Sequence, residues 1–142
     1  MFKLKNLPRI LAIDYGTKRV GLAVTDPMKI IATSLATVRA HDIIAYLKNY
    51  LQTESVECFV VGKPMKLDGS DSQSAVHVEK FISSLRKNFP DIKIERIDER
   101  YTSTIATRAM LEMGLKKKDR QKKENVDQLS AVLILQSYME RF

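Results

Sequence analysis

Apolar and polar positions change period along the chain in a definite order. Arg9 to Tyr15 (RILAIDY) and Val20 to Thr25 (VGLAVT) are apolar, β-branched runs separated by the polar stretch GTKR, the pattern of an antiparallel hairpin. Ala32 to Val38 (ATSLATV) alternates and predicts a third strand. The period then lengthens: Ile43, Ile44, Leu47 and Leu51 fall at helical spacing behind Asp42, a candidate helix cap. ECFVVG is a continuous apolar strand, as expected where both faces of a sheet are covered. After the turn residues of KPMKLDGSDS, Val78, Phe81, Ile82 and Leu85 mark a second helix, and DIKIERID reads as a fifth strand. TSTIATRAMLEMG predicts a helix with Ile105, Ala106, Ala109, Met110 and Met113 on its apolar face and Gly114 as its stop. A last helix is expected from near Asn125 through VDQLSAVLILQSYM, with Asn125 and Gln128 spaced as a capping box.

The predicted order is β-β-β-α-β-α-β-α-loop-α. Three consecutive strands make an antiparallel half, and each later strand, reached through a helix, adds in parallel by a right-handed crossover. The expectation is an α/β fold with a mixed five-stranded sheet, three antiparallel strands then two parallel ones, flanked by helices. The 142 residues fit one domain, 1–142, with no internal repeat and no Pro/Gly-rich linker. Sheets of this kind bind ligands at the carboxyl ends of their parallel strands.

Acidic residues gather at that end. Asp14 ends the first strand, Asp98 and Glu99 end the fifth, and Asp127 lies in the first turn of the final helix. A lone buried carboxylate is costly, so acids ending central strands usually have a cation or strong donors nearby. Three of them converging would repel one another unless a metal sat between them. All-oxygen sites suit Mg²⁺ or Mn²⁺, and a pair of such ions roughly 3.5–4 Å apart holds both the attacking water and the leaving oxygen of a phosphodiester. Each acid also has a simpler reading: Asp14 as a turn residue before Gly16, Asp127 as a complement to its helix dipole, Asp98 and Glu99 as solvated charges beside Arg96 or Arg100. Neighbours on a pleated strand point to opposite faces, so only one of Asp98 and Glu99 readily aims at Asp14.

Charge adds a candidate partner. The net charge is +7, and KKKDRQKK, from Lys116 to Lys123, holds six basic residues against one acidic. Lys116, Lys117, Lys118, Arg120, Lys122 and Lys123 together read as a clamp on a phosphate backbone, or else as a solvated loop. Lys18 and Arg19, in the hairpin turn after Asp14, and Arg100 are further candidate phosphate contacts. Thr102 and Ser103 are expected to cap a helix whose amide end faces the acids, and Tyr15 and Tyr101 to stack bases or, more simply, to pack. His41 and His77 are expected far from the acids and receive no role. The single cysteine, Cys58, excludes an internal disulfide and reads as a small core residue. No signal peptide and no run near the roughly 20 apolar residues of a membrane helix is present, so a soluble, cytoplasmic chain is expected, with no membrane partner.

Four segments carry a resemblance. LAIDYGTKRVGLAVTD, VVGKPMKLDGS, DERYTSTIA and VDQLSAVLILQSYM resemble, in order and at similar separations, the four signature blocks of the YqgF/RuvX family, and they span nearly the whole chain. The resemblance implies an RNase H-like fold related to the Holliday-junction resolvase RuvC. It also implies a nuclease dependent on one or two Mg²⁺ or Mn²⁺ ions, with Asp14, Glu99 and Asp127 as catalytic and metal-ligating acids and Asp98 as the alternative to Glu99. Family members are named in bacteria both for Holliday-junction resolution and for maturing the 5′ end of pre-16S ribosomal RNA. The implied partners are therefore nucleic acid and the precursor of the small ribosomal subunit, for a monomer or homodimer. Two departures stand out: Lys63 falls between Gly62 and Pro64 where the family commonly has an apolar residue, and the acid that RuvC resolvases carry at the end of the fourth strand is missing, leaving that corner to Glu99. The expected activity is phosphodiester hydrolysis of structured RNA in ribosome biogenesis. Resolution of branched DNA, or nucleic-acid binding without catalysis, is the alternative. An actin-like or sugar-kinase reading of the DYGT hairpin would need a second domain that the chain has no length for.

Overall fold

The computed structural model describes residues 7–63, 75–98 and 123–140. Strands β1 (Arg9–Tyr15), β2 (Arg19–Thr25), β3 (Ala32–Arg39), β4 (Val56–Lys63) and β5 (Lys93–Asp98) form one sheet in the order β3-β2-β1-β4-β5. The β1–β2 and β2–β3 pairs are antiparallel, and β1–β4 and β4–β5 are parallel. This is the expected mixed sheet, three strands antiparallel and two added in parallel. The helices are α1 (Ile43–Thr53), α2 (Ala75–Asn88) and α3 (Lys123–Met139). The helix predicted within 102–114, with its Thr102 and Ser103 cap, and Tyr101 lie outside the described residues.

Strand alternation divides the core between the two faces. Leu11, Ile13, Val20, Leu22, Phe59 and Val61 pack with Ile43 and Leu47 of α1 and with Val78, Phe81, Ile82 and Leu85 of α2. Ile10, Ala12, Ala23, Cys58, Val60 and Ile97 pack with Ala131, Ile134, Leu135 and Tyr138 of α3. β1 and β4 read as continuous apolar runs because both of their faces are covered. Each large side chain buried here contributes roughly 1.5–3 kcal/mol of transfer free energy. The α3 face is lined by small residues: Ala12 and Ala23 are partners across the β1–β2 ladder, and Ala131 belongs to the same cluster. Small side chains on both surfaces let α3 approach the sheet closely. Tyr15 stacks on Phe81 at 4.4 Å between ring centroids, so its ring is used in packing. Cys58 is buried, and burial pushes its thiol pKa up, as suits a core residue.

Two expected caps form differently. Ala40–Asp42 make a 3-10 turn leading straight into α1, so Asp42 is already in a helical conformation and its side chain caps nothing. A capping residue takes an extended backbone, which this turn denies it. α3 starts at Lys123, two residues before the expected cap at Asn125, and Gln128 bonds across to Thr37 of β3 instead of back along its own helix.

Asp26, which closes the LAIDYGTKRVGLAVTD block, organises the loop after β2. Its Oδ1 accepts the amide N–H groups of Ile30 and Ile31 at 2.7 Å each, and its Oδ2 accepts that of Met28 at 3.1 Å. Lys29 closes the loop in the left-handed region at φ 58°. The Ile31 amide, with those of Ile30 and Met28, holds the Asp26 carboxyl below its ordinary 3.8. A depressed carboxylate adds stability above its unfolded pKa and loses it as pH falls through the folded value. Asp26→Ala should therefore lower the melting temperature at neutral pH. The gap to wild type should close as the pH drops below about 4, where the unfolded-state carboxyl titrates. Melting curves against pH check this, and a gap that persists undiminished at pH 2 would refute it.

Candidate active site

Asp14 is the last α3-facing residue of β1. Ile13 and Tyr15 on either side of it pack toward α1 and α2, so the pleat turns the Asp14 carboxylate to the α3 face. The hairpin beyond it is tight: the Gly16 N–H donates to the Arg19 carbonyl at 2.9 Å, and a Cβ at Gly16 would lie 2.6 Å from that oxygen. Only glycine allows this approach without a shift.

Asp14 stands opposite Gly21 in the β1–β2 ladder, and Gly21 stands opposite Thr37 in the β2–β3 ladder. The first turns of α3 sit on this cross-strand row. A Cβ built on Gly21 would meet the Asp127 carbonyl oxygen at 2.1 Å and its carbonyl carbon at 2.5 Å, so the Asp127 backbone rests directly on the glycine. Beside it, Gln128 Nε2 donates to Thr37 Oγ1 at 3.1 Å. Arg19, two residues before Gly21 and on the same face, donates from Nε to Asp127 Oδ2 at 2.9 Å. Asp127 is therefore seated over the ladder partner of Asp14, on the face to which the Asp14 carboxylate turns. Gly21 carries no chemistry of its own, and nothing local in the sequence singles it out.

The end of β5 fixes the face that Asp98 takes. Ile97 packs with the α3 cluster, whereas Ile94 packs with the opposite cluster and Arg96 Nη1 reaches Glu79 of α2 at 2.7 Å. Alternation therefore puts Asp98 on the α1/α2 face, away from Asp14 and Asp127. Lys63, the cation where the family commonly has an apolar residue, is the ladder partner of Asp98 on that same face. Its charge stands beside an acid, away from the site. Glu99 and Arg100, and Lys116, Lys117, Lys118, Arg120 and Lys122 of the basic segment, lie outside the described residues. Lys123 opens α3. Lys18 is exposed in the hairpin turn, and His41 and His77 are exposed at the starts of helical segments. Arg19, one of the residues considered for phosphate contact, is occupied by Asp127.

Among the described residues no group of three metal-ligating side chains is complete. The two acids that are brought together supply oxygen donors only, at the carboxyl end of a central strand. A guanidinium already rests on one of those oxygens. A hard divalent cation matches this donor set, and thiolate or imidazole ligands are missing from the described part of it. No helix among the described residues is long and apolar enough to cross a membrane.

Sheet order and site together define the class: an RNase H-like α/β fold with acids at the carboxyl ends of its strands. In shape the chain is similar to Thermus thermophilus RuvC solved with a Holliday junction substrate, at TM-score 0.55 and 14% identity over 94% of this chain and 95% of that one. That likeness establishes the fold. In sequence it is 50% identical to a Flavobacterium psychrophilum protein named "Putative pre-16S rRNA nuclease", over 95% of this chain and 98% of the relative. It is also 51% identical to a protein of the same name from Amoebophilus asiaticus, over 94% and 95%. Residues 8–141 match the RuvX family model, described as Holliday junction resolvase. The chain belongs to the RuvX family.

Proposed function

We propose that this RuvX-family nuclease hydrolyses phosphodiester bonds at the 5′ end of precursor 16S ribosomal RNA, with Mg²⁺ or Mn²⁺ held by Asp14, Asp127 and Glu99. The observation that carries the reading is the seat of Asp127 on Gly21, the ladder partner of Asp14. Two acids far apart in sequence thereby share one face at one sheet end. The turning of Asp98 to the other face supports Glu99, its neighbour in sequence, as the third acid. Bound there, the ion would activate the attacking water and neutralise charge on the leaving oxygen. Asp14 and Asp127 fix the donor geometry, α3 closes the site from the sheet face, and the basic 116–123 segment holds phosphates without choosing a sequence. The 5′-end substrate rests on relatives of about half-identical sequence that carry that name. Trimming one end needs one site, so a monomer in the cytoplasm suffices.

Resolution of four-way DNA junctions is the second reading, favoured by the description of the family. It would require a two-fold dimer cutting two strands symmetrically. Incubating the purified chain with a 5′-extended 16S precursor fragment and with a four-way junction separates the two. The expected result is RNA cleavage in Mg²⁺, lost in EDTA and restored by Mn²⁺, with the junction left intact. Symmetric junction cutting would favour the second reading, cleavage that survives EDTA would overturn the metal site, and binding of both substrates without cleavage would leave a non-catalytic module.

A further inference from the structure

The ion pair between Arg19 and Asp127 has a geometry that a surface contact does not need. Arg19 and Asp127 are 31% and 23% exposed, so both charges are partly withdrawn from water. The guanidinium touches a single carboxylate oxygen, Oδ2, through its Nε. Its strand is fixed on both sides, by the Gly16 amide on the Arg19 carbonyl and by the ladder to β3. Asp127, by contrast, lies near the start of a helix, where the backbone frays most readily. Side-chain ties among the described residues join these first turns to the sheet, Gln128 to Thr37 and Arg19 to Asp127, and the second grips the carboxylate itself.

We infer that Arg19 is a positioning residue: it holds Asp127 through Oδ2 and aims the other carboxylate oxygen toward Asp14 for the cation. This rests on the metal reading given above. Outer partners that orient metal-ligating carboxylates typically change metal affinity 10–100-fold when removed. A guanidinium suits the task because it stays charged at every working pH and is directional where an ammonium is not.

The test measures Mn²⁺ dissociation constants of the full chain by titration calorimetry, for wild type, Arg19→Gln, Arg19→Lys, Asp127→Asn and the Arg19→Gln/Asp127→Asn double variant. Arg19→Gln should weaken Mn²⁺ binding about 10–100-fold. Arg19→Lys, which keeps the charge and folds if the glutamine variant does not, should fall between it and wild type. In the Asp127→Asn background the Arg19 substitution should add almost nothing, since the two act as one unit. At saturating Mn²⁺, kcat on RNA should largely recover in Arg19→Gln while KM for RNA stays near wild type. An unchanged Mn²⁺ affinity with a raised KM for RNA would make Arg19 a phosphate contact and overturn the inference alone. Tighter Mn²⁺ binding would make it a competitor of the metal, which overturns it equally. A wild-type chain that binds no Mn²⁺ would overturn the metal reading and this inference with it.

Discussion

Asp14→Asn is expected to abolish Mg²⁺-dependent cleavage while leaving nucleic-acid binding within about twofold of wild type. Asparagine keeps the size and the ladder position of Asp14 opposite Gly21, so the sheet is undisturbed. What it removes is one negative charge from the proposed metal site. Losing a single preorganised electrostatic group costs about 10²–10³ in kcat in well-studied sites, and an acid of the proposed metal site should cost at least that. Phosphate contacts, which supply most non-specific affinity, come from basic residues that the substitution does not touch. Cleavage assays at saturating Mg²⁺ paired with filter binding would check both halves, and undiminished cleavage would remove Asp14 from the mechanism.

Gly21→Ala is expected to damage the same activity without changing any group that takes part in the chemistry. The added methyl would fall 2.1 Å from the Asp127 carbonyl oxygen and 3.1 Å from its Cβ. The obstacle is helix backbone, which cannot swing aside as a long side chain would. Either the start of α3 lifts from the sheet or β2 is pushed down. Overpacking of this kind destabilises by about 1–3 kcal/mol. A displacement of about 1 Å at a catalytic group can lower the rate by about 10²-fold. The variant should therefore melt lower, keep its mixed α/β circular dichroism, and cleave on the order of 100-fold more slowly than wild type. Wild-type melting and wild-type cleavage together would mean that α3 does not seat on Gly21 as described.

Much of this was legible along the chain. The apolar runs set the strands to within a residue or two: Val20–Thr25 is expected for β2 and Arg19–Thr25 is found, while DIKIERID is expected for β5 and the strand starts only at Lys93. The lengthening of the period placed α1 and α2, with the same four inward residues found buried in α2. Sheet alternation predicts that only one of Asp98 and Glu99 readily faces Asp14; the packing of Ile97 shows which side Asp98 takes, and Glu99 lies outside the described residues. What stayed hidden depends on contacts between distant segments. Arg19 is one of 24 basic residues, and its partner lies 108 positions away, so in sequence it reads as a turn cation free to meet phosphate. Gly21 sits in a quoted motif without apparent purpose, because only the arrival of α3 on β2 makes a side chain there impossible. The Asp42 and Gln128 caps failed for a related reason: local rules named a plausible partner, and a 3-10 turn and a cross-sheet bond to Thr37 replaced it.

The seat of α3 has a consequence for unfinished copies of the protein. A polypeptide stopped between the end of β5 at Asp98 and the start of α3 at Lys123 still contains all five strands and the two helices of the other face. It lacks Asp127 and the α3 side chains that pack with Ala12, Ala23, Val60 and Ile97. Such a fragment holds Asp14 but not Asp127, and losing that packing shifts it toward unfolded, protease-sensitive states. Because the last helix supplies both the lid of the core and a corner of the proposed site, an unfinished copy lacks the two together.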